Sequence, residues 1–148
     1  MPVGVKIDGK DAHRSVRRLT ATDRAVIKQM KAGLREAARL VRAEMHQRAS
    51  AISRRLARRI KTKIDRFGTE ARVINSYAGV WAIEKGRRPG AKMPPLKAVR
   101  GGYPAARLVS RRGLAARPFL KPTADAMAGQ VKAVLSRVAR EIEAQWRS

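Results

Sequence analysis

Residues 60–75, IKTKIDRFGTEARVIN, decide the fold. Ile60, Thr62 and Ile64 alternate with charged neighbours, the period of two that sends successive side chains to opposite faces of a strand. A turn is expected near Phe67-Gly68, after which Ala71, Val73 and Asn75 return with the same period. The stretch reads as a β-hairpin, with a long helix on its N-terminal side and, beyond a short element and a long loop, another helix at the C-terminal end.

On the N-terminal side, Val26, Met30, Leu34, Ala37, Val41 and Met45 recur in strides of three and four, one continuous helical stripe. Thr20 and Asp23 stand in capping-box spacing before it, and Gly33 is its weak point. At about 100° per residue, Arg24, Lys28, Lys31, Arg35, Arg39 and Arg42 gather on another side, with only Glu36 and Glu44 interrupting the charge. This face is either an ordinary solvated surface or a surface for a polyanion. Ser50 is expected to restart or kink the helix, and Ile52, Leu56 and Ile60 continue its apolar line between the pairs Arg54-Arg55 and Arg58-Arg59. At the start of the chain, Val3, Val5 and Ile7 alternate ahead of Asp8-Gly9, which reads as a short strand with a turn, and residues 10–19 as an arm.

After the hairpin, SYAGVWAIEKG carries Tyr77, Val80, Trp81 and Ile83 as a strand or one or two helical turns. Residues 85–121 differ: they hold eleven Lys and Arg, no Asp or Glu, and five of the seven prolines. They read as a long basic loop, with YPAARLVS contributing one short strand that turns Leu108 or Val109 inward. In the last segment, Met127, Val131, Val134, Leu135, Val138, Ile142 and Trp146 define an amphipathic helix, with Pro122 near its first position and Asp125 in its first turn. Phe119 and Leu120, held between Pro118 and Pro122, are expected to plug against the hairpin and the first helix. The fold class is α+β: a long N-terminal helix and a C-terminal amphipathic helix packed on a small, mainly antiparallel sheet, with a long basic loop. Residues 1–19 form the strand and arm, and residues 20–148 a single domain.

A chain of 148 residues without cysteine has no disulfide framework and no thiolate metal site. No run approaches the ~18 apolar residues of a membrane span, and the first residues lack a signal-peptide core, so the expectation is a protein made in the cytoplasm and not held in a membrane. Its 35 Lys and Arg against 11 Asp and Glu give +24, and 24 of the 35 are arginine. That charge attracts polyanions, and the guanidinium fork suits phosphate oxygens. A GC-rich coding genome also favours arginine, and aromatics at 4% supply no stacking platform for single strands.

The chemistry of an enzyme finds no support. GVKIDGKD, residues 4–11, has P-loop glycine and lysine spacing, but Asp11 stands where Ser or Thr must hold Mg²⁺, and no helix follows at once. His13 and His46 are isolated, and Glu141 and Glu143, two apart on a helix, point in different directions. No catalytic group, metal or cofactor is expected. Trp81 is read as core packing in preference to an interface anchor, and Trp146 as a helix-end clamp or a subunit contact.

The order of parts, together with Glu84-Lys85-Gly86 and Arg117-Pro118-Phe119-Leu120-Lys121-Pro122, resembles the tail-completion or neck (head-tail connector) proteins of long-tailed double-stranded DNA phages, lambda minor tail protein Z-like. In that family a Glu-x-Gly-Thr element precedes a variable loop, and an R-P-F-L-x-P-A-like segment leads into the last helix. Here Arg87 replaces the threonine and Thr123 the common alanine. The likeness spans most of residues 22–146. It implies a structural virion protein, assembled in the host cytoplasm into a ring, six-fold in expectation. Its partners would be the connector or stopper and the tail terminator or tube, with double-stranded DNA in the channel. A tail terminator of the same virion and a free, sequence-nonspecific nucleic-acid-binding protein are the alternatives. Residues expected to face DNA or acidic partners are Lys28, Lys31, Arg35, Arg39 and Arg42 on the helix and Arg87, Arg88, Arg100, Arg111 and Arg112 in the loop.

Overall fold

A computed structural model describes residues 3–8, 24–92 and 101–145. The Asp8-Gly9 turn, the arm, the Thr20/Asp23 capping box, His13, Arg100 and Trp146 lie wholly or partly outside the described residues. The elements run β1 (Val3–Asp8), α1 (Arg24–Ile52), α2 (Arg54–Ala57), β2 (Ile60–Ile64), β3 (Glu70–Asn75), α3 (Val80–Lys85), α4 (Gly102–Arg112) and α5 (Leu120–Gln145). No helix among the described residues is long and apolar enough to cross a membrane.

The hairpin forms as its alternation dictates. β2 pairs antiparallel with β3, Thr62 opposite Val73, and β1 adds on the far side of β3 with Val5 opposite Val73, so the sheet order is β1-β3-β2. Ala71, Val73 and Ile60 on its inner face are buried, while Lys6, Lys61, Lys63 and Arg72 remain exposed on the outer one. The turn is organised by Asp65. Its carboxylate accepts from Phe67 N at 3.2 Å, Thr69 N at 2.7 Å, Thr69 Oγ1 at 2.8 Å and Glu70 N at 2.9 Å. Burial raises the Asp65 pKa, but these four donors together outweigh it and hold the carboxyl below its ordinary value. Gly68 takes φ +70° and is pressed onto α1, where an added Cβ would stand 2.9 Å from Lys31 Cγ.

α1 spans 29 residues, about 43 Å at 1.5 Å per residue. Its apolar stripe faces both the sheet and α5, with which it runs antiparallel. Leu34, Val41 and Met45 join Leu56, Val73, Val80, Phe119 and Met127 in the main core, and Val26 and Met30 meet Val138 and Ile142 in a second cluster. Gly33 is a packing site: a Cβ there would lie 2.6 Å from Val138 Cγ2, so its missing side chain permits the approach of the two helices. Gln29–Gln145 at 2.9 Å and Glu36–Arg137 at 2.6 Å flank that crossing.

Three expectations are corrected. The helix break falls at Ser53 rather than Ser50, because Ser53 takes an extended backbone and its hydroxyl accepts from Arg55 N to cap α2. The YPAARLVS segment is helical, within α4; Ala106 is buried, Leu108 is exposed and Val109 half-buried. Asp125 is not in the first turn of α5, because that helix already starts at Leu120.

Candidate functional site

The two motif segments, Glu84-Lys85-Gly86 and residues 117–122, are joined in space. A helix begins with backbone N–H groups that lack intrahelical partners and carries partial positive charge there. At α5 those groups are met by a carboxylate from 35 or more residues away: Glu84 Oε2 accepts from Phe119 N at 2.9 Å and Leu120 N at 3.1 Å, and Oε1 from Lys121 N at 3.1 Å. Pro122 has no N–H to satisfy, and the Thr123 hydroxyl donates to Phe119 O at 2.6 Å. Pro118 itself is exposed. The cap fixes the start of α5, and Phe119, fully buried, and Leu120, buried, enter the main core from it.

The same contact closes the base of residues 85–121. Arg117 N donates to Ile83 O at 2.8 Å, Arg87 and Leu114 exchange backbone bonds at 2.8 and 2.9 Å, and Gly90 N donates to Ser110 O at 2.8 Å. Gly86 lies in this zipper at φ +73°, and a Cβ on it would come within 2.7 Å of Leu114 O and 2.9 Å of Ala116 N. Only glycine fits there. The segment is therefore a clasped excursion bearing α4 rather than an open loop along its described length.

The expected contact residues fall into two groups on different elements. Lys28, Arg35, Arg39 and Arg42 are exposed along one flank of α1, and among the described residues none of them takes part in an ion pair. Lys31 is half-buried under the hairpin turn, so the stripe is interrupted there. In the second group, Arg88, Arg111 and Arg112 are exposed, the latter two in the last turn of α4. Arg87 is half-buried, and its Nη2 donates to the Lys92 carbonyl within the clasped segment.

Trp81 corrects its reading as a core residue: it is 47% exposed on α3, and Lys85 Nζ lies 4.7 Å from its ring centroid. In six residues α3 makes barely two turns, too short a run for periodicity to assign its faces. Phe67, at the hairpin tip, is 63% exposed, so one of the two phenylalanines is displayed and the other buried.

A further site lies outside the expected residues. A cleft of about 570 Å³ is lined by Arg55, Arg58, Arg59, Ser76, Tyr77 and Ala78. Its signal in the sequence is the pairs Arg54-Arg55 and Arg58-Arg59, which the structure places in α2, at its C-cap and in the turn that follows. On the outer face of the sheet, Glu70 pairs with Lys6 at 2.9 Å and with Arg72, and its carboxyl is held below the ordinary value, chiefly by Arg72 and then by Lys6. Among the described residues no group of three or more His, Cys, Asp or Glu is placed to hold a metal ion.

Comparison with family models, with curated proteins and with solved structures returns no match.

Proposed function

We propose that this chain is a structural subunit of the neck of a long-tailed double-stranded DNA phage, one copy of a six-fold ring that joins or completes head and tail around the DNA passage. The observation that carries the reading is the Glu84 cap. The two short motifs on which the resemblance rests are one physical unit, a carboxylate and the helix start it holds. Two surfaces support it further. Trp81, beside that unit, offers a large exposed aromatic of the kind that anchors subunit contacts. The Lys28, Arg35, Arg39 and Arg42 flank offers cations that form no ion pair among the described residues, of the kind that meets phosphates. The partners in this reading are copies of the chain and the neighbouring neck and tail proteins, with DNA in the channel, and its place is the virion.

The test is location. Mass spectrometry of purified particles of the encoding phage is expected to find the chain, and cryo-electron microscopy to place it as a ring at the head-tail joint. Particles that lack it overturn the proposal, and density further down, at the end of the tail tube, replaces it with the terminator.

A further inference from the structure

The cleft between α2 and the start of α3 has fixed walls. Asn75, fully buried, donates from Nδ2 to Leu56 O at 2.8 Å, and its Oδ1 accepts from Tyr77 N at 2.9 Å. One buried amide thus ties the arginine-bearing wall to the Ser76-Tyr77 wall. Ser76 N donates to Arg59 O at 3.0 Å and Ser76 Oγ to the same carbonyl at 3.2 Å, a second tie. Tyr77 packs against the main core, which stiffens its wall further.

The charge in this cleft is all of one sign. Arg55 lies in α2, Arg58 caps its C-terminal end and Arg59 follows in the turn into β2, so three like charges stand close along one short stretch of chain. Among the described residues no carboxylate lines the cleft, and none of the three arginines forms an ion pair. Three exposed arginines line one prebuilt hollow, and each guanidinium is a planar fork that matches two phosphate oxygens. We propose that this cleft is a phosphate-binding subsite that takes the phosphate groups of a polynucleotide backbone or a free phosphate. Its volume of about 570 Å³ is in the range of ligand pockets and exceeds what one small ion fills, which favours a backbone segment. The site is separate from the α1 flank and does not depend on the virion reading, because the isolated protein carries the test.

Binding of a ~20-base-pair duplex is measured by fluorescence anisotropy across a salt series. Three proteins are compared: the unaltered chain, the triple variant Arg55→Gln/Arg58→Gln/Arg59→Gln, and a control of equal charge, Arg107→Gln/Lys132→Gln/Arg140→Gln. The cleft triple is expected to weaken binding by about tenfold or more at physiological salt and to flatten the log-log salt slope by about 2 to 3, the control by distinctly less. In parallel, inorganic phosphate is titrated at constant ionic strength while the Ser76 and Tyr77 amides are followed by NMR. A larger loss from the cleft triple assigns the site to a nucleic-acid backbone. Saturable amide shifts with phosphate, alongside equal losses from the two triples, assign it to free phosphate. Equal losses with no saturable shift overturn the proposal. Amide spectra report folding, and if the triple unfolds, Arg58→Gln carries the same comparison with a slope change of about 1 against Lys132→Gln.

Discussion

Glu84 reaches the start of α5 across 35 residues and replaces the local Ser, Thr or Asp that usually caps a helix. Glu84→Ala leaves three backbone donors without their acceptor and is expected to cost about 1–2 kcal/mol in urea denaturation. Glu84→Gln keeps an oxygen acceptor without the charge and should recover part of that loss. A Glu84→Ala midpoint equal to that of the unaltered protein would mean that water serves α5 equally well. Phe119, two positions beyond Arg117 in the same unit, is fully buried, so Phe119→Ala is expected to cost about 3–5 kcal/mol by the same measurement. The burial of Phe119 is readable in the sequence from its place between Pro118 and Pro122. The partner of its amide is not, because nothing local marks which distant carboxylate will arrive.

At the scale of elements, readability follows periodicity. α1, α5 and the hairpin repeat their pattern long enough to announce themselves, whereas α3 and α4 sit in glycine- and proline-rich chain where the pattern is short. Propensity alone also misjudges Gly33: it weakens an isolated helix, yet here it admits Val138. Gly33→Ala should therefore destabilise by about 1–3 kcal/mol through overpacking, despite the better helix former, and Val138→Ala in the same chain should relieve part of it. The hairpin turn answers to pH instead. The Asp65 pKa is lower folded than unfolded, so its stabilisation is fully present above the unfolded value of about 3.9 and is lost as pH falls through the folded value. Urea midpoints measured from pH 5 downwards should drop more steeply for the unaltered protein than for Asp65→Asn, which has no proton to take up.

For the whole molecule, 35 cations against 11 anions leave most of the positive charge without an internal partner, and the fold spreads it over several surfaces rather than one. The excess is plain in the sequence; its division between the α1 flank, the arginine cleft and the outer sheet face is not, because it depends on how α2 and β3 dock. Such a molecule repels itself, and its compact state should gain from salt as long as surface repulsion dominates. The α1 flank is the stretch on which the neck reading makes its sharpest demand. Arg35, Arg39 and Arg42 are exposed, roughly 100° around the helix from the buried Leu34, Val41 and Met45, so replacing them removes no buried side chain. Changing all three to Glu reverses six units of charge and should leave the far-ultraviolet circular dichroism of the isolated protein unaltered. In phage carrying these changes, joined particles should fall in number or lose their genome, since the flank would then repel DNA or an acidic neighbour. Normal yields of infectious particles would reduce this flank to solvated surface and leave the Trp81 face and the clasped segment as the contacts on which assembly depends.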